Sequence, residues 1–204
     1  MWKKNKYKVI KKCISDELCD FAYNHLLLKQ NVASILFEKR EIPAFSIEWG
    51  HYNDPQVLNT YATYSDLVME QLLIKLKPLI EKKIKIKLVE NYSFARLYKK
   101  YDILKKHVDR YSCEFSTTLN LGGDQWPIYL ISNNKKIKVT LNPGDMLIYK
   151  GCELVHWREP FLGKVCGQVF LHYNSQDDKN KWDNRPCLGY PFPMNINRKT
   201  KTNE

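Results

Sequence analysis

Apolar positions change their spacing once along this chain, near residue 84. Before it, Leu18, Phe21, Ala22 and Leu26 recur at three- and four-residue intervals behind Ser15-Asp16-Glu17, a hydroxyl N-cap with an acidic first turn. That pattern predicts a helix over 16–30. Leu72, Leu73, Leu76, Leu79 and Ile80 mark a second helix over Asp66–Glu81, interrupted by Pro78. Between them, Pro43, Trp49-Gly50 and Asn53-Asp54-Pro55 read as loops with short strands. From residue 84 the period becomes two, in Ile84-Lys85-Ile86-Lys87-Leu88-Val89 and again in Ile137-Lys138-Val139-Thr140-Leu141. Cys113–Asn120 ends at Gly122-Gly123, Trp126–Ile131 stops at Ser132-Asn133-Asn134, Gly144 opens a strand through Tyr149, and Val165–Tyr173 closes the series.

Helices followed by at least six short strands predict an α+β chain on an antiparallel double-stranded β-helix of jelly-roll type. We expect one domain over 1–175, with a helical part (1–83), a barrel (84–175) and a partly coiled extension (176–204) that frays beyond Asn195. The loops before Asp66 are expected to cover one end of the barrel.

Composition narrows the setting. With 44% hydrophobic and 13% aromatic residues in 204, the chain can bury a sizeable core and is not of a disordered type. No run approaches 18 consecutive apolar residues, so no membrane-spanning segment is expected. The basic start leads into no apolar stretch before Lys11-Lys12, which argues against a secretory signal and for the cytoplasm. Cys13, Cys19, Cys113, Cys152, Cys166 and Cys187 form no CxxC pair, and Cys113, Cys152 and Cys166 fall within predicted strands, as small core thiols do. A reducing compartment fits them.

The net charge of +11 gathers in lysine runs, including Lys99, Lys100, Lys105 and Lys106. Such runs are by default solvated faces, although a basic rim would attract an anionic substrate. A nucleic-acid partner is disfavoured, because no aromatic-basic alternation suited to stacking bases is present.

The chemistry-bearing pattern is His107-Val108-Asp109 with a distant His156. Residues two apart on a strand leave the same face and can grip one ion, and two imidazoles with one carboxylate are the ligand set of a facial iron(II) site. Five His and 22 acidic residues supply a lone His-x-acid by chance, so the context decides. Tyr92-Ser93-Phe94-Ala95-Arg96-Leu97-Tyr98, then Leu104 and His107-Val108-Asp109-Arg110, resemble the start of the catalytic barrel in the 2-oxoglutarate- and Fe(II)-dependent dioxygenases, most of all the prolyl 4-hydroxylase-like branch. Asn142-Pro143-Gly144-Asp145-Met146-Leu147-Ile148-Tyr149 and Glu153-Leu154-Val155-His156-Trp157-Arg158 resemble its later turn, strand and distal-His segment. Leu104 stands where that branch often carries a second Tyr.

The resemblance implies an enzyme that binds Fe(II) through His107, Asp109 and His156, consumes 2-oxoglutarate and dioxygen, and hydroxylates an organic or protein substrate such as a peptidyl proline. The 2-oxoglutarate carboxylate needs a cation, and two compete. Lys164 stands eight residues after His156, where the family carries its anchor about ten along, and the offset favours it if the intervening loop is shorter; Arg158, two after His156, competes and shares its face if the strand continues. Gln168 and Thr117 can add neutral hydrogen bonds, and Tyr98 matches a position whose hydroxyl often touches the cosubstrate. Arg96 and Arg110 either reach substrate or pair with Glu114. His172 reads as a core residue or a support of the ligands, and Asp145 as a turn residue. The alternatives are the same chemistry on a small molecule or nucleic acid, or a non-catalytic cupin-like binding protein.

Overall fold

The computed structural model describes residues 2–43 and 46–177, so the predicted extension and Cys187 lie outside the described residues apart from Gln176 and Asp177. A short helix α1 (Trp2–Asn5) and strand β1 (Tyr7–Ile10) precede α2 (Asp16–Glu38). Ser15 caps α2, its Oγ accepting the Leu18 N–H at 3.2 Å, while Asp16 and Glu17 face the positive end of the helix. The helix runs to Glu38 rather than ending at 30, since Gln30–Glu38 contains neither Gly nor Pro. After β2 (Tyr61–Tyr64), Asp66 caps α3 (Leu67–Ile84) by accepting the Val68 N–H at 3.0 Å, and Pro78 is accommodated within the helix.

The change of period falls later than the alternation predicted. Ile84 is the last helical residue, because Leu73, Leu76, Ile80 and Ile84 share one buried helical face. Lys85 ends the helix in the left-handed region at φ 62°, its N–H donating to Glu81 O at 2.8 Å.

The strands that follow are β3 (Leu88–Lys99), β4 (Leu104–His107), β5 (Phe115–Gly123), β6 (Ile128–Ser132), β7 (Lys135–Val139), β8 (Met146–Lys150), β9 (His156–Arg158) and β10 (Val165–Ser175). They form two antiparallel sheets, β1-β8-β5-β10-β3-β2 and β4-β9-β6-β7. The N-terminal part is therefore not purely helical. Its β1 and β2 supply both edges of the larger sheet, and the Tyr7-x-Val9 alternation was masked by the surrounding lysines. Asn133 and Asn134, at φ 49° and 58°, make the tight β6–β7 hairpin turn that Asn tolerates.

The six-stranded sheet is covered on both faces. Its odd-numbered side chains in β3, β5 and β10, among them Leu97, Leu119, Val169 and Tyr173, pack on α2 and α3 in the main core. From β8, Leu147 and Tyr149 face the smaller sheet and meet Ile128, Leu130 and Val139. Even-numbered residues 92–98 of β3, 116–120 of β5 and 166–174 of β10 thus point into the space between the sheets, while register shifts turn Leu88, Glu90 and Gly122 toward the helices. Cys113 lies in the 3₁₀ turn Tyr111–Cys113 and Cys152 in a turn after β8, so of the three thiols expected in strands only Cys166 is in one. No helix among the described residues is long and apolar enough to cross a membrane.

Candidate metal and cosubstrate site

β4 and β9 are neighbours in the smaller sheet, with His107 directly opposite His156. β4 ends at His107, and the chain beyond it turns Val108 outward, 47% exposed, and brings Asp109 back beside His107. His107 Nε2 and His156 Nε2 lie 3.5 and 3.4 Å from Asp109 Oδ1, and one donor atom from each residue fits within 4.8 Å of the others. Each imidazole is set by the same local device. His107 Nδ1 donates to Lys105 O at 2.8 Å and His156 Nδ1 to Leu154 O at 2.9 Å, so in the neutral rings both Nε2 lone pairs face the carboxylate.

Three donor atoms that converge in a partly buried place could hold a metal ion, two imidazoles and one carboxylate being the ligand set of a facial iron(II) site. Without it, protons serve. Burial opposes charge on both groups, but hydrogen bonds between them prevail, raising the His107 pKa and holding Asp109 well below the usual carboxylate range.

The carboxylate is supported from behind. Ser116 Oγ donates to Asp109 Oδ2 at 2.5 Å and lies 3.1 Å from His172 Nδ1, which then acts as donor to Ser116. The Asp109 N–H donates to Gly151 O at 2.9 Å. A Cβ on Gly151 would collide with Asp109 Oδ2 and Cys113 O and come within 2.5 Å of Ser116 Oγ, so only glycine fits. His172 thus supports the ligands, whereas Ser116 and Gly151 escaped the sequence reading. The parity of Ser116 with Thr118 and Asn120, opposite to apolar Phe115, Leu119 and Leu121, was the signal available.

Two residues along β9 from His156, Arg158 points into the same interior. It is 1% exposed, and no carboxylate pairs with it among the described residues. Its Nη2 donates to Thr118 Oγ1 at 3.1 Å and Gln168 Oε1 at 3.3 Å, its Nη1 to Trp126 O, and its Nε is buried without a partner. Burial pushes its pKa down from the ordinary guanidinium value. Gln168 joins this cluster as expected, and Tyr98 lies beside it, its ring edge-on to Trp126 at 4.7 Å.

The remaining expected residues lie apart. Lys164 is exposed, its backbone N–H donating to Asp124 Oδ2 at 2.6 Å. Thr117 faces the helices, accepting the Leu171 N–H at 2.9 Å, and its neighbour Thr118 takes the interior position. Of the basic rim, Lys99 pairs with Asp102 at 2.8 Å, and Lys106 lies over Trp157 on the smaller sheet. Glu114 pairs with Lys150 at 2.6 Å, and Arg96 pairs with Asp54, not Glu114. Asp145 is a turn residue that accepts from Lys11, Lys12 N and Asn142 N. A cavity of about 320 Å³, walled by Tyr64, Tyr92, Phe94 and Arg110, opens onto the triad. A larger one, about 860 Å³, lies between α2 and the start of α3 and shares only Tyr64 with it.

Neither a protein-family model nor a curated protein matches the chain. Solved structures do. A prolyl-4-hydroxylase from Pseudomonas putida superposes with a TM-score of 0.66 at 11% identity, covering 86% of this chain and 95% of that one. This is the fold of the 2-oxoglutarate/Fe(II) oxygenases. The collagen prolyl hydroxylase of Paramecium bursaria Chlorella virus-1, in its 2-oxoglutarate complex, gives 0.59 at 14% identity over 85% of this chain and 98% of its own. HygX from Streptomyces hygroscopicus, with nickel and 2-oxoglutarate bound, gives 0.58 at 12% identity over 86% and 85%. The double-stranded β-helix expected from the strand pattern is thus the fold found.

Proposed function

We propose that the protein is a 2-oxoglutarate- and Fe(II)-dependent dioxygenase that hydroxylates an organic substrate. His107, Asp109 and His156 hold the metal, and Arg158 with Thr118 and Gln168 receives the remote carboxylate of 2-oxoglutarate. The observation that carries this reading is Arg158. An acid-less buried guanidinium costs several kcal/mol in a ligand-free protein, and a dicarboxylate chelating a metal one strand step away would offset that cost. Iron and 2-oxoglutarate, when bound, supply the oxidising power, with dioxygen converting 2-oxoglutarate to succinate and carbon dioxide as one oxygen atom enters a C–H bond of the substrate.

The chain's own residues do the positioning. The Lys105 and Leu154 carbonyls keep both imidazoles in the metal-ligating tautomer, and Ser116 engages one Asp109 oxygen so that the other faces the metal. Trp126, Phe161, Leu104 and Tyr98 wall the Arg158 end and exclude water, which strengthens its grip on a carboxylate. We read residues 1–175 as one catalytic unit, and the free thiols support a reducing, cytoplasmic setting. Peptidyl proline is one substrate among several that this fold admits, since HygX has also been crystallised with hygromycin B. The test is anaerobic Fe(II) binding followed by succinate release with 2-oxoglutarate and dioxygen across substrate classes. A protein that binds neither Fe(II) nor 2-oxoglutarate would be a non-catalytic member of the fold.

A further inference from the structure

Arg96 is a second guanidinium inside the barrel, and the chemistry above gives it no task. It projects from β3, fully buried, with its guanidinium 4.9 Å from the Phe94 ring centre and 5.4 Å from that of Tyr98. Its one acid among the described residues is Asp54, whose Oδ1 lies 2.8 Å from Nη2. That pair is poorly directed: neither Nε nor Nη2 makes a well-formed hydrogen bond. Asp54 belongs to no strand or helix, and its side chain is 21% exposed where Arg96 is 0%.

The segment that delivers Asp54 also lies across the metal position. Gln56 Nε2 lies 3.0 Å from His107 Nε2, the atom a metal would take, while Gln56 Oε1 sits 3.4 Å from Arg96 Nη1. The Gln56 N–H donates to Asp54 Oδ1 at 2.8 Å. A metal at His107 would displace the Gln56 side-chain amide and with it the contact to Arg96 Nη1, while the backbone N–H of Gln56 stays on Asp54. Asp54 lines the cavity beside the triad, and the fully buried Arg96 lies behind its carboxylate.

We propose that Arg96 is a second anion site, separate from Arg158, that receives a carboxylate of the substrate to be oxidised, with Asp54 as its internal stand-in. The substrate assignment rests on the oxygenase reading; the anion site does not. The stand-in is itself a carboxylate. The slot between Phe94 and Tyr98 offers one flat guanidinium, which suits a planar carboxylate better than a tetrahedral phosphate needing more donors. The walls of Tyr64, Tyr92 and Phe94, with the Arg110 guanidinium over the Tyr92 ring, fit a planar body, so the substrate class is a small carboxylic acid.

Acetate, which reproduces the Asp side chain, is the probe, with acetamide as the neutral control and chloride to hold ionic strength. In metal-free Asp54→Ala, acetate should restore thermal stability and bind about tenfold or more tighter than acetamide, as a charge-assisted contact requires. This rescue should vanish in Asp54→Ala/Arg96→Met. If Asp54→Ala does not fold, Asp54→Asn carries the same titration. The parent protein should bind acetate at least about tenfold more tightly with Mn(II) and 2-oxoglutarate than without them, because the Gln56 side chain no longer occupies Arg96 Nη1. No such gain, or rescue that survives Arg96→Met, would reduce the pair to a structural contact and overturn the site. Loss of 2-oxoglutarate binding in Arg96→Met would hand Arg96 to the cosubstrate and overturn it equally. Failure of the parent to bind Mn(II) and 2-oxoglutarate at all would sink the oxygenase reading, and rescue in the metal-free variant would still report on the anion site.

Discussion

Replacing Arg158 by Met separates a ligand-binding guanidinium from a structural one, because the two roles predict opposite patterns. In the ligand-free protein two effects oppose each other. Trp126 O loses its donor, and a stranded buried acceptor costs about 1–3 kcal/mol. Thr118 and Gln168 are not stranded, since Thr118 Oγ1 donates to Gln168 Oε1 at 2.9 Å. Against that loss, the desolvation of a buried cation with no acid disappears, an effect of several kcal/mol in the other direction. The melting temperature should move by only a few degrees, at about 2–4 °C per kcal/mol for a domain of this size. Binding should change far more. The remote carboxylate of 2-oxoglutarate would be buried without its cation, which costs about 3–5 kcal/mol, or roughly a hundred- to several-thousandfold in affinity. Calorimetric titration of 2-oxoglutarate into Mn(II)-loaded parent and variant measures the second effect, and scanning calorimetry of the metal-free proteins the first. A variant that melts many degrees lower yet binds 2-oxoglutarate within about threefold of the parent would show Arg158 to be structural. A tenfold loss in Lys164→Met instead would move the anchor to that exposed lysine.

Gly151→Ala should weaken Mn(II) binding by about tenfold or more at a stability cost of about 1–3 kcal/mol, because its Cβ displaces the Asp109 carboxylate; unchanged metal affinity by titration would show that the carboxylate is not positioned there. Asp66 has its pKa lowered although burial opposes it, through Lys29 at 2.6 Å and His25 at 3.0 Å. Its charge therefore stabilises the fold above the unfolded value of about 3.9, and that contribution is lost as pH falls through the lower folded value. Urea denaturation between pH 6 and 2 should accordingly be less acid-sensitive in Asp66→Asn, and parallel curves for the two proteins would contradict this account.

The local pattern carried most of the helices and strands, and with the family resemblance it singled out His107, Asp109 and His156. Ser15 sits at the helix start that its capping chemistry announced, Asp66 caps the second predicted helix instead of lying within it, and Asp109 stands beside His107 although β4 ends at His107. Parity could also have chosen Thr118 over Thr117, since both the apolar rhythm of β5 and the pleat are local. Other features depend on residues far apart in sequence. Ile84 alternates like a strand, but the buried face it shares with Leu76 and Ile80 keeps it in α3. The lysine-rich start hides β1, whose place is fixed by pairing with β8 from the other end of the chain. Our proposal of Arg158 rather than Lys164 likewise rests on burial, which spacing from His156 does not encode. A loop leaves Lys164 in solvent, whereas strand β9 carries Arg158 into the space between the sheets. Asp54 and Gln56 read as loop residues, and only the folded chain brings them to Arg96 and His107. Sequence periodicity determines which face a side chain takes, and tertiary packing determines what that face meets and whether a charge there is solvated.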